Sequence, residues 1–122
     1  EHDLAKQSLY IMCLADGSLL AAAAAGEDDE LNDLSCWSKD IHRPCELARI
    51  GVQREFQNQG LAGELIRYIE QEVLKKGFDG IHFLVSKTNP AALALYQKLG
   101  YHACGETERY GVNWWCYEKN LG

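Results

Sequence analysis

The 122-residue sequence has few of the features that mark membrane, secreted or nucleic-acid-binding proteins. Its longest apolar stretch, Leu19 to Gly26, is far shorter than the roughly 20 residues of a membrane-spanning helix, and no charged-then-apolar leader precedes it. With a net charge of −6, it also lacks the basic face that phosphate contacts require. We therefore expect a cytoplasmic protein that binds neither a membrane nor nucleic acid.

The sequence also lacks paired cysteines and metal-ligand spacings. Its five cysteines are odd in number, contain no C-x-x-C pair and lie mostly within apolar runs. The histidines are scattered, without the spacing of zinc ligands. These patterns predict reduced cysteines that serve packing, and no metal site.

The composition, with 47% hydrophobic and 25% charged residues, is typical of a globular protein. The length suits a single domain over residues 1–122. The acidic run at residues 27–30 favours a solvated loop, although it could instead provide a negative field that attracts a cationic amine.

In the N-terminal half, apolar runs at residues 9–13 and 19–25 flank an Asp-Gly pair, a pattern that predicts a β-hairpin. Residues 27–44 are polar and predict a loop with a short helical turn. Residues 46–52 then predict a third strand.

The second half begins with an amphipathic helix, predicted by the spacing of Leu61, Leu65, Ile69 and Val73 and ending near Gly77. A buried strand at residues 81–85 precedes a second helix, which starts at Asn89-Pro90 and stops at Gly100. Strands at 101–104 and 112–117 complete the chain and pair through a connection at 105–111. This order predicts an α+β fold with a mixed sheet.

The turn between the third strand and the first long helix is a candidate phosphate site. It consists of Gln57, Asn58, Gln59, Gly60, Leu61 and Ala62. Amides in the first turn of a helix lack intrahelical partners, and the helix dipole there favours negative charge. The turn matches neither the G-K-[ST] phosphate loop nor the G-x-G-x-x-G dinucleotide motif.

Val52 followed by Gln57-x-x-Gly60-x-Ala62 resembles the acetyl-CoA signature of the GNAT superfamily of N-acetyltransferases. The later segment at residues 89–101, N-P-A-A-x-x-x-Y-x-x-x-G-Y, resembles the second coenzyme-contacting helix of that superfamily. The resemblance implies a mostly antiparallel, twisted sheet flanked by helices, and acetyl-CoA as cosubstrate.

The resemblance also implies which residues bind the coenzyme. Ile50 and Val52 would pair with the pantetheine arm, as an added strand would. The Val52 amide would also face the thioester oxygen. Main-chain amides from Gln57 to Ala62 would bind the pyrophosphate, and the second helix would contribute Asn89, Ala92 and Tyr96.

Two catalytic residues are implied as well. Tyr96 would protonate the leaving thiolate, whereas the alternative is a core aromatic residue on the apolar helix face. Glu46 would deprotonate the acceptor ammonium directly or through water, and the alternative is a surface glutamate at a strand edge. His42 and His102 are weaker candidates for the base.

Superfamily members usually begin with a further strand and one or two helices that help form the acceptor pocket. Here about eight residues precede Leu9, so we expect that part to be short or missing. The implied reaction is direct transfer to a primary amine of a small molecule or peptide. A non-catalytic CoA-binding or protein-interaction module is the alternative, and the aromatic final strand could pair across a homodimer.

Overall fold

The computed structural model describes residues 7–122, apart from the side chain of Asp29, and contains one six-stranded sheet. The strands are β1 (Gln7–Cys13), β2 (Leu19–Gly26), β3 (Pro44–Val52), β4 (Gly80–Ser86), β5 (His102–Arg109) and β6 (Val112–Asn120). The helices are α1 (Asp29–Asn32), α2 (Leu61–Lys75) and α3 (Pro90–Lys98), with a 3-10 turn at Arg54–Phe56. The strand order is β1-β2-β3-β4-β6-β5, and β3 with β4 is the one parallel pair among these strands. The predicted mixed, mostly antiparallel sheet is confirmed.

The local signals for turns and caps are confirmed. Gly17 has a φ of 91° in the first hairpin, and Gly77 and Gly100 have φ values of 95° and 96° after the two long helices. The Asn89 side chain accepts a hydrogen bond from the Ala92 amide at 3.2 Å, which caps α3. Within residues 7–122, no helix is long and apolar enough to cross a bilayer.

Two expectations about the last strands are wrong. The connection predicted at residues 105–111 is mostly strand, because β5 continues to Arg109 and a turn at Tyr110 and Gly111 suffices. β6 is not a free strand, since it pairs with β4 on one edge and β5 on the other. Its aromatic residues therefore cannot pair across a dimer through that strand.

The main core lies between the sheet and the two long helices. Alternate alanines of β2, at positions 21, 23 and 25, point into it, together with Ile66 and Ile69 of α2. The small alanine side chains suit a close approach of α2 to the strand, which explains why a run of strong helix formers is a strand here. Tertiary packing outweighs local propensity at this position.

A network of Glu70, Tyr101 and Lys119 joins α2 to the end of the sheet. The Glu70 carboxylate accepts a hydrogen bond from the Tyr101 hydroxyl at 2.8 Å and contacts the Lys119 ammonium at 3.0 and 3.1 Å. Lys119 also donates to the Leu99 carbonyl oxygen at 2.8 Å. Glu70 is thus a charged residue within an apolar helix face, and its charge is compensated on the spot.

The second face of the sheet is covered partly by residues 27–43. The Trp37 ring lies 4.3 Å from the His82 ring, and the Ser38 amide donates to the Glu118 carboxylate at 2.9 Å. His82 is 1% exposed, and neither of its ring nitrogens has a hydrogen-bond partner within residues 7–122. Burial lowers the pKa of His82 to about 4, outweighing the opposite effects of Glu118 and Asp28.

Replacement of Glu70 by alanine will lower the free energy of unfolding by about 3 kcal/mol, because it leaves the Lys119 ammonium and the Tyr101 hydroxyl without their acceptor. Urea denaturation measures the change. The control is Glu72→Ala on the same helix, whose pair with the exposed Lys75 is worth less than about 0.5 kcal/mol. Equal losses in both variants would contradict this view of Glu70.

His82 makes stability fall in acid. Between pH 6.5 and 4 the unfolded chain binds a proton at this histidine while the folded chain does not, so stability drops as the pH falls through that window. The difference corresponds to roughly 3 kcal/mol. Urea denaturation at several pH values should show a steeper loss for the wild type than for His82→Phe, and parallel curves would refute the prediction.

Candidate functional site

The strands β3 and β4 separate after three residue pairs and leave an open slot between them. Pairing joins Pro44–Glu46 to Gly80–His82 and then stops, although β3 continues to Val52 and β4 to Ser86. Beyond that point β3 pairs only with β2, and β4 only with β6, within the described residues. The two facing strand edges therefore present backbone groups to the slot.

A β-bulge in β3 accounts for this separation. Ala22 of β2 is paired with Gly51, but Ala24 is paired with Ala48, so that β3 contains one extra residue in this stretch. Arg49 lies in the bulge with a φ of 55°. A bulge bends its strand and increases the local twist, which turns β3 away from β4.

The hydrogen bonding of Gln53 fixes the direction of the neighbouring amides. Its N–H donates to the Leu20 carbonyl oxygen of β2 at 2.8 Å. Because successive amides of a strand point to opposite edges, the N–H groups of Val52 and Ile50 point away from β2, into the slot. The side chains of both residues pack against the main core. This orientation is the one that the expected pairing with a pantetheine arm requires.

The turn before α2 presents its backbone amides at the same end of the sheet. Gly60 is the N-cap residue with a φ of 77°, and its cap has no side-chain hydrogen bond. Asn58 also has a positive φ, of 65°, and the helical bonds begin with the Glu64 amide donating to the Gly60 carbonyl oxygen at 3.2 Å. The amides of Leu61 and Ala62 precede that first bond and are available to an anion.

Gln57 connects this turn to the slot, as its side-chain amide donates to the Val52 carbonyl oxygen at 3.1 Å. The resemblance implied only a main-chain role for Gln57, so this side-chain contact is an additional feature. Gln57, Asn58, Gln59 and Gly60 are exposed, while Leu61 and Ala62 are half-buried. A pyrophosphate could therefore reach the turn from solvent.

Tyr96 projects from α3 toward the sheet. Its ring lies 4.5 Å from the Phe83 ring of β4 and 6.5 Å from that of Tyr117. Burial raises the pKa of Tyr96, so the phenol is protonated at neutral pH. Its hydroxyl has no hydrogen-bond partner in the described part of the chain. The same side chain thus serves as a core aromatic and retains a proton to donate.

Asn89 and Ala92, the other expected coenzyme contacts on α3, form the cap of that helix. Asn89 is exposed and Ala92 is half-buried. The cap accounts for the asparagine at position 89, and it leaves the side-chain NH2 group of Asn89 outside the capping bond.

Glu46 lies at the closed end of the slot, on the sheet face opposite α2 and α3. It is half-buried in an interior strand rather than at a strand edge, and its carboxylate accepts a hydrogen bond from the Gln7 side chain at 2.8 Å. Glu46 and Val52 pair with Gly26 and Ala21 of β2, so about 17 Å of strand separates them. A proton could pass between those two positions only through intervening water or polar groups.

A row of ionisable residues crosses the sheet from Glu46. Register pairs Glu46 with His82, His82 with Glu118, and Glu118 with His102. His102 is the exposed end of the row, with its ring nitrogen 3.4 Å from the Glu118 carboxylate. The weaker base candidate His102 therefore shares a row with Glu46, whereas His42 is exposed and donates its backbone amide to Asp79. The row depends on strand register and is therefore not visible in the sequence.

Arg49 and its bulge were also missed, although the sequence contains a signal for them. The core-facing residues of β3 are Cys45 and Leu47 before the bulge but Ile50 and Val52 after it. The apolar alternation thus changes from odd to even positions, as one inserted residue requires.

Comparisons with known proteins identify the family of the chain. Residues 1–101 match the model of the acetyltransferase (GNAT) family. The chain is 30% identical over 95 residues to a Xenopus tropicalis protein described as "probable N-acetyltransferase 14", and 35% identical over 52 residues to an acetyltransferase of Pectobacterium atrosepticum. These matches cover 78% and 43% of the chain, but only 44% and 37% of the two relatives.

Solved structures show the same fold. The ribosomal-protein-S18-alanine N-acetyltransferase of Escherichia coli superposes with a TM-score of 0.74 at 20% identity, over 95% of this chain and 70% of the other. Mutant forms of the spermidine/spermine N-acetyltransferase of Vibrio cholerae give a TM-score of 0.73 at 19% identity, over 95% and 68%. Because the family model covers most of the sequence, the chain belongs to the GNAT acetyltransferase family.

Proposed function

We propose that this chain forms the coenzyme-binding and catalytic part of an acetyl-CoA-dependent N-acetyltransferase. The supporting observation is the position of the open slot between β3 and β4 next to the amide-rich turn before α2, with Gln57 linking the two. Acetyl-CoA supplies an acetyl group activated as a thioester. The slot suits an extended arm that hydrogen-bonds to strand edges, and the turn suits a pyrophosphate.

In this proposal, main-chain groups of β3 and of the turn before α2 bind the coenzyme. Backbone groups of Ile50 and Val52 hold the pantetheine arm, and amides from Gln57 to Ala62 hold the phosphates. The Val52 N–H donates to the carbonyl oxygen, where negative charge develops during transfer. Asn89 and Ala92 contact the arm from α3.

Proton transfers complete the reaction by direct transfer in a ternary complex. Tyr96 donates its phenolic proton to the sulfur as the carbon–sulfur bond breaks. Glu46 takes the proton of the acceptor ammonium through water, because the length of β3 between Glu46 and Val52 excludes direct contact. The acceptor is a primary amine of a small molecule or peptide. The two solved neighbours are named for different amines, so the fold leaves the acceptor open.

A thermal-shift titration tests coenzyme binding. Acetyl-CoA at one hundred times its dissociation constant should stabilise the fold by about 2.7 kcal/mol and raise the melting temperature by several degrees. Gly60→Ala should lose most of this shift, because alanine strains the left-handed conformation that presents the amides. ATP is the ligand control.

Gly17→Ala is the matched control for Gly60→Ala. Both glycines have positive φ, and a Cβ added at either meets nothing within 4 Å, so each alanine costs about 1 kcal/mol through the backbone alone. Gly17 lies in the first hairpin turn, and its variant should keep the full acetyl-CoA shift. If both variants keep the acetyl-CoA shift, or if both lose it equally, the result would count against a phosphate site at Gly60.

Tyr96→Phe should lower kcat by about 100-fold while changing the dissociation constant of acetyl-CoA less than about threefold, because the hydroxyl acts as the sulfur gains charge. Steady-state kinetics and the thermal shift measure the two effects. Tyr68→Phe, at an exposed tyrosine of α2, is the control with no expected change. An unchanged kcat in Tyr96→Phe would remove Tyr96 from the chemistry and leave it a core aromatic. Coenzyme binding without turnover on any amine would identify a non-catalytic module.

A further inference from the structure

An open cavity of about 250 Å³ lies beside Val52. Ala22 and Gly51 line it as cross-strand partners, and they alternate with the core-facing Ala21 and Val52. Ala21 and Val52 line it as well, but Ala21 is buried and Val52 half-buried, whereas Arg49 and Gly51 are exposed. The cavity therefore opens on the sheet face opposite α2 and α3, the face of Gly51. It exists because Ala22 has only a methyl group and Gly51 has no side chain, and a Cβ added at Gly51 would meet nothing within 4 Å.

Arg49 is the charged residue among the described residues that line this cavity. Its guanidinium makes no hydrogen bond or ion pair with any group that the structure describes, although the chain carries a net charge of −6. The guanidinium is thus available to an anion that enters the cavity.

The backbone conformation of Arg49 is unusual for a residue with a side chain. Its φ of 55° lies in the left-handed region, which residues other than glycine, asparagine and aspartate seldom adopt. Glycine would form the same bulge without strain. Residues with a strained backbone are concentrated at binding and catalytic sites, which favours a binding role for the Arg49 side chain.

We propose that Arg49 binds a carboxylate of the acceptor, so that the substrate is an amino acid or short peptide with a carboxylate near its primary amine. This rests on the proposed function, because it assigns the acceptor side of the same site. A guanidinium binds a carboxylate through two parallel hydrogen bonds. The cavity is smaller than the roughly 300–1,000 Å³ of pockets that hold drug-sized ligands. An acceptor in it approaches Val52 from the face opposite α2 and α3, which leaves the turn before α2 free for the coenzyme.

The kinetic test uses matched acceptors that differ only in charge: amino acids and their amides. Arg49→Gln should lower kcat/KM for the acids by about 10- to 100-fold, mainly through KM, and change the values for the amides by less than about threefold. Arg49→Lys should keep part of the preference, and Arg67→Gln, on the exposed side of α2, should keep all of it. Equal effects of Arg49→Gln on acids and amides would overturn the proposal.

Arg49→Gly separates the side chain from the fold. Glycine accepts the positive φ, so the melting temperature should stay the same or rise while the preference for the acids disappears. Retained preference in this variant would refute the role of the guanidinium.

A binding experiment decides the proposal even if no amine is acetylated, an outcome that would count against the proposed function alone. In an NMR titration, N-acetylglycine should shift the amide resonances of Ala22 and Gly51 saturably, whereas N-acetylglycinamide should not. Arg49→Gly should abolish the response. Absence of saturable shifts, or equal shifts with both compounds, would show that the cavity has no carboxylate site.

Discussion

One inserted residue in β3 is the constraint on which the rest of the site depends. The bulge at Arg49 turns the strand away from β4, and the separation leaves the backbone groups of both strands facing a slot. Because of the same bulge, the core-facing residues of β3 change from odd positions such as Leu47 to the even positions Ile50 and Val52. Gly51 then faces the other side, where it lines a cavity. The proposed coenzyme slot and the proposed acceptor cavity are thus adjacent at Val52 because of a single irregularity in pairing.

The two faces of the sheet treat buried charge differently. On the helix face, Glu70 is surrounded by its donors, and its network joins α2 to β6. On the opposite face, His82 is buried beneath Trp37, and neither ring nitrogen has a hydrogen-bond partner among residues 7–122. It lies between Glu46 and Glu118 in the cross-strand row. In the first arrangement the charge is compensated, so removing one partner would be costly, whereas the second leaves polar groups unsatisfied among the described residues, which costs stability.

The sequence was sufficient for features that depend on local chemistry. The Asp16-Gly17 turn, the Asn89 cap and the glycines after both long helices are set by residues close in sequence, and the structure has them where expected. The length of β5 was underestimated, because its polar residues resemble a loop until the partner β6 is known. The row from Glu46 to His102 and the partner of Glu70 join residues far apart in sequence, so register and packing had to be known first.

The short contact between β3 and β4 also has a mechanical consequence. Three residue pairs join a half-sheet of β1, β2 and β3 to a half-sheet of β4, β6 and β5. Helix α2 bridges the two, because it packs on β2 and β3 and contacts β6 through Glu70 and Lys119. An extended ligand arm in the slot would hydrogen-bond to both half-sheets and link them. A ligand bound in the slot would then reduce the opening of one half-sheet relative to the other. Ligand binding and the rigidity of the sheet would therefore be coupled, so that a change in one would change the other.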